Sequence, residues 1–133
     1  MEHKDYLERE IEKITLMLMR ILDKVLHFHT LDETEVESIQ SEFQSEINFE
    51  AIINGAPDEL ELILQGSKFT EDQIETLADI LMNIGIKLPP VNEKRILYLS
   101  KALHLYNIIN AKSSIYSLTR QKNIESINLF LIN

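Results

Sequence analysis

Apolar residues at Leu7, Ile11, Ile14, Leu18, Ile21, Val25 and Phe28 recur at alternating intervals of four and three. A 3.5-residue period places them on one side of an α-helix, so the spacing predicts a helix over residues 2–28, about 40 Å long. Met17, Leu22 and Leu26 form a second stripe beside the first, with Leu16 and Met19 further round. The apolar arc widens after Thr15, which predicts burial on more than one side in the second half of this helix.

Further helices follow by the same signals. Thr30 and Glu33 have capping-box spacing ahead of Val36, Ile39, Phe43 and Ile47. Residues 48–54 either continue that second helix or form a short separate turn, and Gly55 ends the segment. Pro57 suits the first position of a third helix, with Asp58, Glu59 and Glu61 near its positive end, Leu60, Ile63 and Leu64 inward, and Gly66 closing it. Thr70 and Gln73 form another capping box, opening a fourth helix through Ile74, Leu77, Ala78 and Leu81 to Gly85. Pro89-Pro90 interrupts helix, and Asn92 is a plausible cap for a fifth along Ile96, Leu99, Leu103, Tyr106 and Ile109. Residues 110–114 read as a connection to a last helix carrying Ile115, Leu118, Ile124, Ile127, Phe130 and Leu131. No window alternates in the manner of a strand. The expected fold class is all-α: about six helices in one domain over 1–133, a long N-terminal helix followed by a helical body over 31–133.

Composition sharpens this picture. The chain has 133 residues, 44% hydrophobic, with three Gly, three Pro and no Cys. The missing thiols exclude disulfides, Cys-based zinc sites and Cys nucleophiles. Net charge is −9 and unevenly spread: residues 1–66 hold sixteen acids against five bases, and residues 67–133 six against eight. From Asp32 to Asp79 the only base is Lys68. Such a surface repels phosphates and anionic lipid headgroups, so neither nucleic acid nor membrane is expected as a partner. No apolar run approaches the ~20 residues of a membrane span, and Glu8, Glu10 and Glu12 break any secretory pattern. A cytoplasmic protein is expected.

Leu77-Ala78-Asp79-Ile80-Leu81-Met82-Asn83-Ile84-Gly85 followed by Tyr98-Leu99-Ser100-Lys101-Ala102-Leu103-His104-Leu105-Tyr106 resembles a tetratricopeptide-type helix pair. The resemblance spans residues 77–109 and implies a helical hairpin at about 71–110, although the Pro89-Pro90 linker is longer than in a regular repeat. The whole chain is similar to a family of small, uncharacterised bacterial helical proteins, on Lys4-Asp5-Tyr6-Leu7-Glu8-Arg9-Glu10-Ile11-Glu12-Lys13-Ile14 and Ile115-Tyr116-Ser117-Leu118-Thr119-Arg120-Gln121. That resemblance implies no activity.

The residues offer little chemistry. His27 and His29 stand about 200° apart on a helix and cannot share a metal there. Asp23 lies one turn before His27 and could share a divalent ion with it, but a His at a helix C-terminus has a sufficient reason in the dipole. Carboxylate pairs Glu8/Glu12, Glu42/Glu46 and Glu71/Glu75 read as solvated faces, and Glu-x-x-His, the di-metal bundle motif, is missing. The three Gly are too far apart for a phosphate loop. The expectation is a non-enzyme without cofactors. Two surfaces remain. The stripe of Leu7, Ile11, Ile14, Leu18 and Ile21 either pairs with a second copy, giving a homodimer, or lines the core. Tyr98, Tyr106, Tyr116 and Arg120 form a candidate groove, as Tyr and Arg are enriched at binding hot spots. The leading expectation is a helical protein–protein interaction module; the alternative is a small-ligand-binding or catalytic helical protein with an interior pocket near Tyr106, Tyr116 and Arg120.

Overall fold

Every helix after the first starts beside a side chain that accepts from a backbone amide. A computed structural model of the chain describes residues 2–43, 47–67 and 69–132, as seven helices with no strand among them. The long first helix, α1, spans Glu2–His27. α2, Glu33–Phe43, is capped two residues later than the Thr30/Glu33 spacing implies: the Glu35 amide donates to Asp32 Oδ1 at 2.8 Å and the Asp32 amide to Glu35 Oε1 at 3.2 Å. The shift follows from Leu31, which is buried and whose amide donates to the Lys87 carbonyl. Leu31 and buried Val36 thereby occupy the two positions of a hydrophobic staple around an Asp32 cap.

Residues 48–54 form a separate helix, α3 (Phe49–Asn54), because the Asn48 side chain caps the Ala51 amide. This adds a seventh helix to the expected six. Gly55 ends α3 at φ −72°, so the expected positive φ is not used there; a Cβ would instead meet the Ala51 carbonyl oxygen at 2.5 Å. α4 is Pro57–Ser67, and α5 is Glu71–Lys87 with the expected Thr70/Gln73 capping box. α6 is Lys94–Lys112, where Asn92 Oδ1 accepts from the Lys94 amide. α7 is Leu118–Ile132: the Ser117 hydroxyl accepts from the Arg120 amide, which starts the helix after Ile115 and Tyr116.

α5 is central. Gln73 near its start donates to the Ile11 carbonyl and Thr15 Oγ1, both at 3.0 Å, and Lys87 at its end donates to the Val25 carbonyl at 2.8 Å. α1 and α5 therefore run parallel. α6 returns antiparallel to α5 in the most extensive helix pairing of the fold, and α7 runs antiparallel along α6. α2 folds back over α1, where Lys24 reaches Glu42 at 3.5 Å and Ser38 at 3.2 Å. α3 packs on α6 and beside α4. The buried side chains make one contiguous core, in which the mutually tilted rings of Phe43, Phe49 and Tyr98 join α2, α3 and α6.

Gly85 lies inside α5 and does not end it. A Cβ there would meet Leu99 Cγ and Cδ2 at 2.7 Å and the Arg95 carbonyl at 3.3 Å, so the missing side chain sets the closeness of α5 to α6. Gly85→Ala gains about 1 kcal/mol of helix propensity but overpacks the joint by about 1–3 kcal/mol. The expected result is a lower thermal midpoint, with Gly85→Val lower still. A midpoint equal to or above wild type would show that α6 can back away freely.

Candidate functional site

The stripe of α1 is only half covered. Leu18 and Ile21 are 1% and 0% exposed, buried with Val25 in the body of the same chain. In this half the stripe lines the core, the second of the two alternatives its spacing left open. Tyr6, Leu7 and Ile11 remain 60%, 47% and 44% exposed, with Ile14 half-buried between the two regions. The cause is register. α5 begins two residues before Gln73, whose partners are Ile11 and Thr15, so α1 runs ahead of α5 by roughly 10 Å at 1.5 Å per residue.

At about 100° per residue, Glu8 and Glu10 flank the line of Leu7 and Ile11 on its two sides, while Arg9 and Lys13 fall on the rear of the helix. Exposed Glu71 and Asp72 stand at the start of α5 beside this run. Leu16, Met19 and Leu26, all exposed, lie further round α1.

The four members of the expected groove are not brought together. Tyr116 is 72% exposed in the α6–α7 connection, and Tyr98 is buried against Phe49 with its hydroxyl accepting from Gln40 Nε2 at 2.9 Å. Tyr106 and Arg120 do meet one junction, where α5, α6 and α7 join. The Tyr106 hydroxyl donates to Asp79 Oδ1 and accepts from Asn123 Nδ2. Arg120 is buried: Nε donates to Asn110 Oδ1 at 2.7 Å, Nη1 to both Glu75 oxygens at 3.1 Å and Nη2 to the Ile115 carbonyl at 3.1 Å. Glu75 is thus half-buried and paired rather than part of a solvated Glu71/Glu75 face. The surface depressions of 610, 330, 120 and 80 Å³ lie elsewhere; none of the four is lined by Tyr106, Tyr116 or Arg120.

Burial pushes the Asp79 carboxyl above the usual carboxylate range, opposed by the Tyr106 hydrogen bond and aided by Glu75. Burial and the charge of Asp79 push the Tyr106 hydroxyl up strongly, which keeps it a donor at any physiological pH. Asp79 binds its proton more tightly folded than unfolded. Its stabilising contribution is full below its ordinary pKa of 3.8 and is lost as pH rises through the folded value. Asp79→Asn should therefore gain on wild type in urea midpoint as pH goes from about 4 to 7. A variant that loses ground to wild type over this range would reverse the assignment.

Two buried polar side chains were not expected as such from the sequence, Gln73 and Lys101. Gln73 was visible as a cap but not as the link to α1. Lys101 donates its Nζ to the Gly55 carbonyl, a partner no local spacing indicates. His27 Nδ1 lies 2.8 Å from the Asp23 carbonyl and 3.9 Å from its carboxylate, at an exposed position. His104 Nε2 is 3.8 Å from Glu61. Among the described residues no three His, Asp or Glu side chains gather to hold a metal ion, and no helix is long and apolar enough to cross a membrane. Glu46, of the Glu42/Glu46 pair, lies outside the described residues. No protein-family model, curated protein or solved structure matches the chain.

Proposed function

We propose that this chain is a non-enzymatic, helical protein–protein interaction module acting in the cytoplasm, with the uncovered run of α1 as its docking face. One observation carries the reading: the stripe that seats α1 in the body continues through Ile11 and Leu7, which are 44% and 47% exposed. Apolar area there gains about 25 cal/mol per Å² when a partner removes it from water. The rival reading, an interior pocket at Tyr106 and Arg120, finds less support, since their polar atoms are bonded to neighbours within the chain. We read the α5–α6 hairpin as tetratricopeptide-like scaffolding that holds α1 in place.

The test is site-specific crosslinking in the native host. A photoreactive residue at Leu7 should give a discrete protein adduct that disappears with Ile11→Ser. The same group at exposed Ser100 should give none. Equal adducts at both positions, or none at Leu7, would remove the docking face. Ile11→Ser should also change unfolding free energy by no more than about 0.5 kcal/mol, as expected for a side chain outside the core.

A further inference from the structure

Resting on the interaction-module reading, we infer that the uncovered face of α1 receives a basic amphipathic helix laid in line with α5. Shape gives the first half of this statement. Further along α1, the same stripe is covered by helices, α5 on one side and α2 on the other. Leu7 and Ile11 repeat the heptad spacing of the covered residues, so they offer a second helix the same ridge that α5 already uses. Gln73 of α5 bonds α1 at Ile11 and Thr15, so Leu7 lies about one turn ahead of that contact.

Charge gives the second half. Glu8 and Glu10 border the ridge on its two sides, Glu12 lies further round beyond Glu8, and Glu71 and Asp72 close the end nearest α5. Arg9 and Lys13 project from the opposite side of α1. An incoming helix therefore meets a carboxylate on each flank of the Leu7 and Ile11 line and two more at the end nearest α5. Lys and Arg flanking an apolar ridge complement that arrangement, and they also speed encounter with a chain of net charge −9. A second copy of this chain fits less well. It would bring the same Glu8 and Glu10 to the seam, and docked parallel its own α5 would compete for the same space. Exposed flanking charges imply binding that weakens with salt.

Two synthetic two-heptad helices decide the matter, identical in their Leu/Ile ridge and flanked in one by Lys and in the other by Glu. Each is titrated into the full-length, isotope-labelled chain and followed by amide chemical shifts. The Lys-flanked peptide is expected to shift residues 5–14 and 71–76, to bind about tenfold more tightly than its Glu-flanked twin, and to lose that advantage with Glu8→Gln/Glu10→Gln. Ile11→Ser should abolish the shifts. Equal affinity for the two peptides at the stripe would overturn the charge assignment. So would shifts from the Lys peptide spread over acidic residues 32–59 instead of the stripe. If neither peptide binds while the Leu7 crosslink persists, this inference fails and the module reading stands. An unliganded dimer that dissociates with Ile11→Ser would make a second copy the occupant and end the proposal.

Discussion

Leu18→Glu is expected to leave the chain unfolded at neutral pH, whereas Ile11→Glu, seven residues earlier on the same stripe, leaves it folded. Leu18 is 1% exposed in the contiguous core. Removing a buried Leu side chain costs about 2–5 kcal/mol, and placing an unpaired carboxylate there costs several more. The sum rivals the whole stability of a domain this size, about 5–15 kcal/mol. Ile11 is 44% exposed, and its link to α5 runs through its backbone carbonyl, which substitution does not remove. Far-ultraviolet dichroism and urea unfolding of the two variants provide the comparison. Native dichroism for Leu18→Glu would mean that the body does not close over that turn of α1.

Arg120→Leu carries the next largest expected effect, a loss of about 3 kcal/mol. One guanidinium holds Glu75 on α5, Asn110 on α6 and the Ile115 carbonyl in the connection ahead of α7. Removing one member of a buried ion pair typically costs about 3–5 kcal/mol, and the low end applies because the Glu75 side chain keeps 30% of its exposure. The apolar core of α7 is small, with Ile124 and Ile127 as its buried aliphatic residues, so the loss falls mainly on this helix. Amide exchange should accelerate through α7 while α5 keeps its protection. Glu75→Leu added to Arg120→Leu should recover most of the loss, since no charge is then left unpaired. A single variant as stable as wild type would show that water replaces the guanidinium without penalty.

Much of the fold was legible along the chain. The period of α1, the Thr70/Gln73 box and Pro57 at the start of α4 act within one or two helical turns, and local spacing reads such signals directly. The misread features depended on something further away. The cap of α2 moved to Asp32 because Leu31 bonds to Lys87, and Gly85 sits within α5 because Leu99 presses on it from α6. The Tyr and Arg residues show the same division. Their enrichment at hot spots is a statement about type, but type does not say whether a neighbouring helix already supplies the partner. For Tyr106 and Arg120 it does; for Tyr116 it does not.

By itself, then, the chain's pattern of apolar and capping residues determined an all-helical architecture, the first helix and its stripe, because helical period and end chemistry operate over three or four residues. Only the tertiary structure decided where that stripe is covered. Cover depends on the register of α5 against α1, which is held by Gln73 reaching Ile11 across 62 residues of sequence. A contact of that range leaves no periodic trace, yet it separates Leu18, which holds the body together, from Leu7, which faces out.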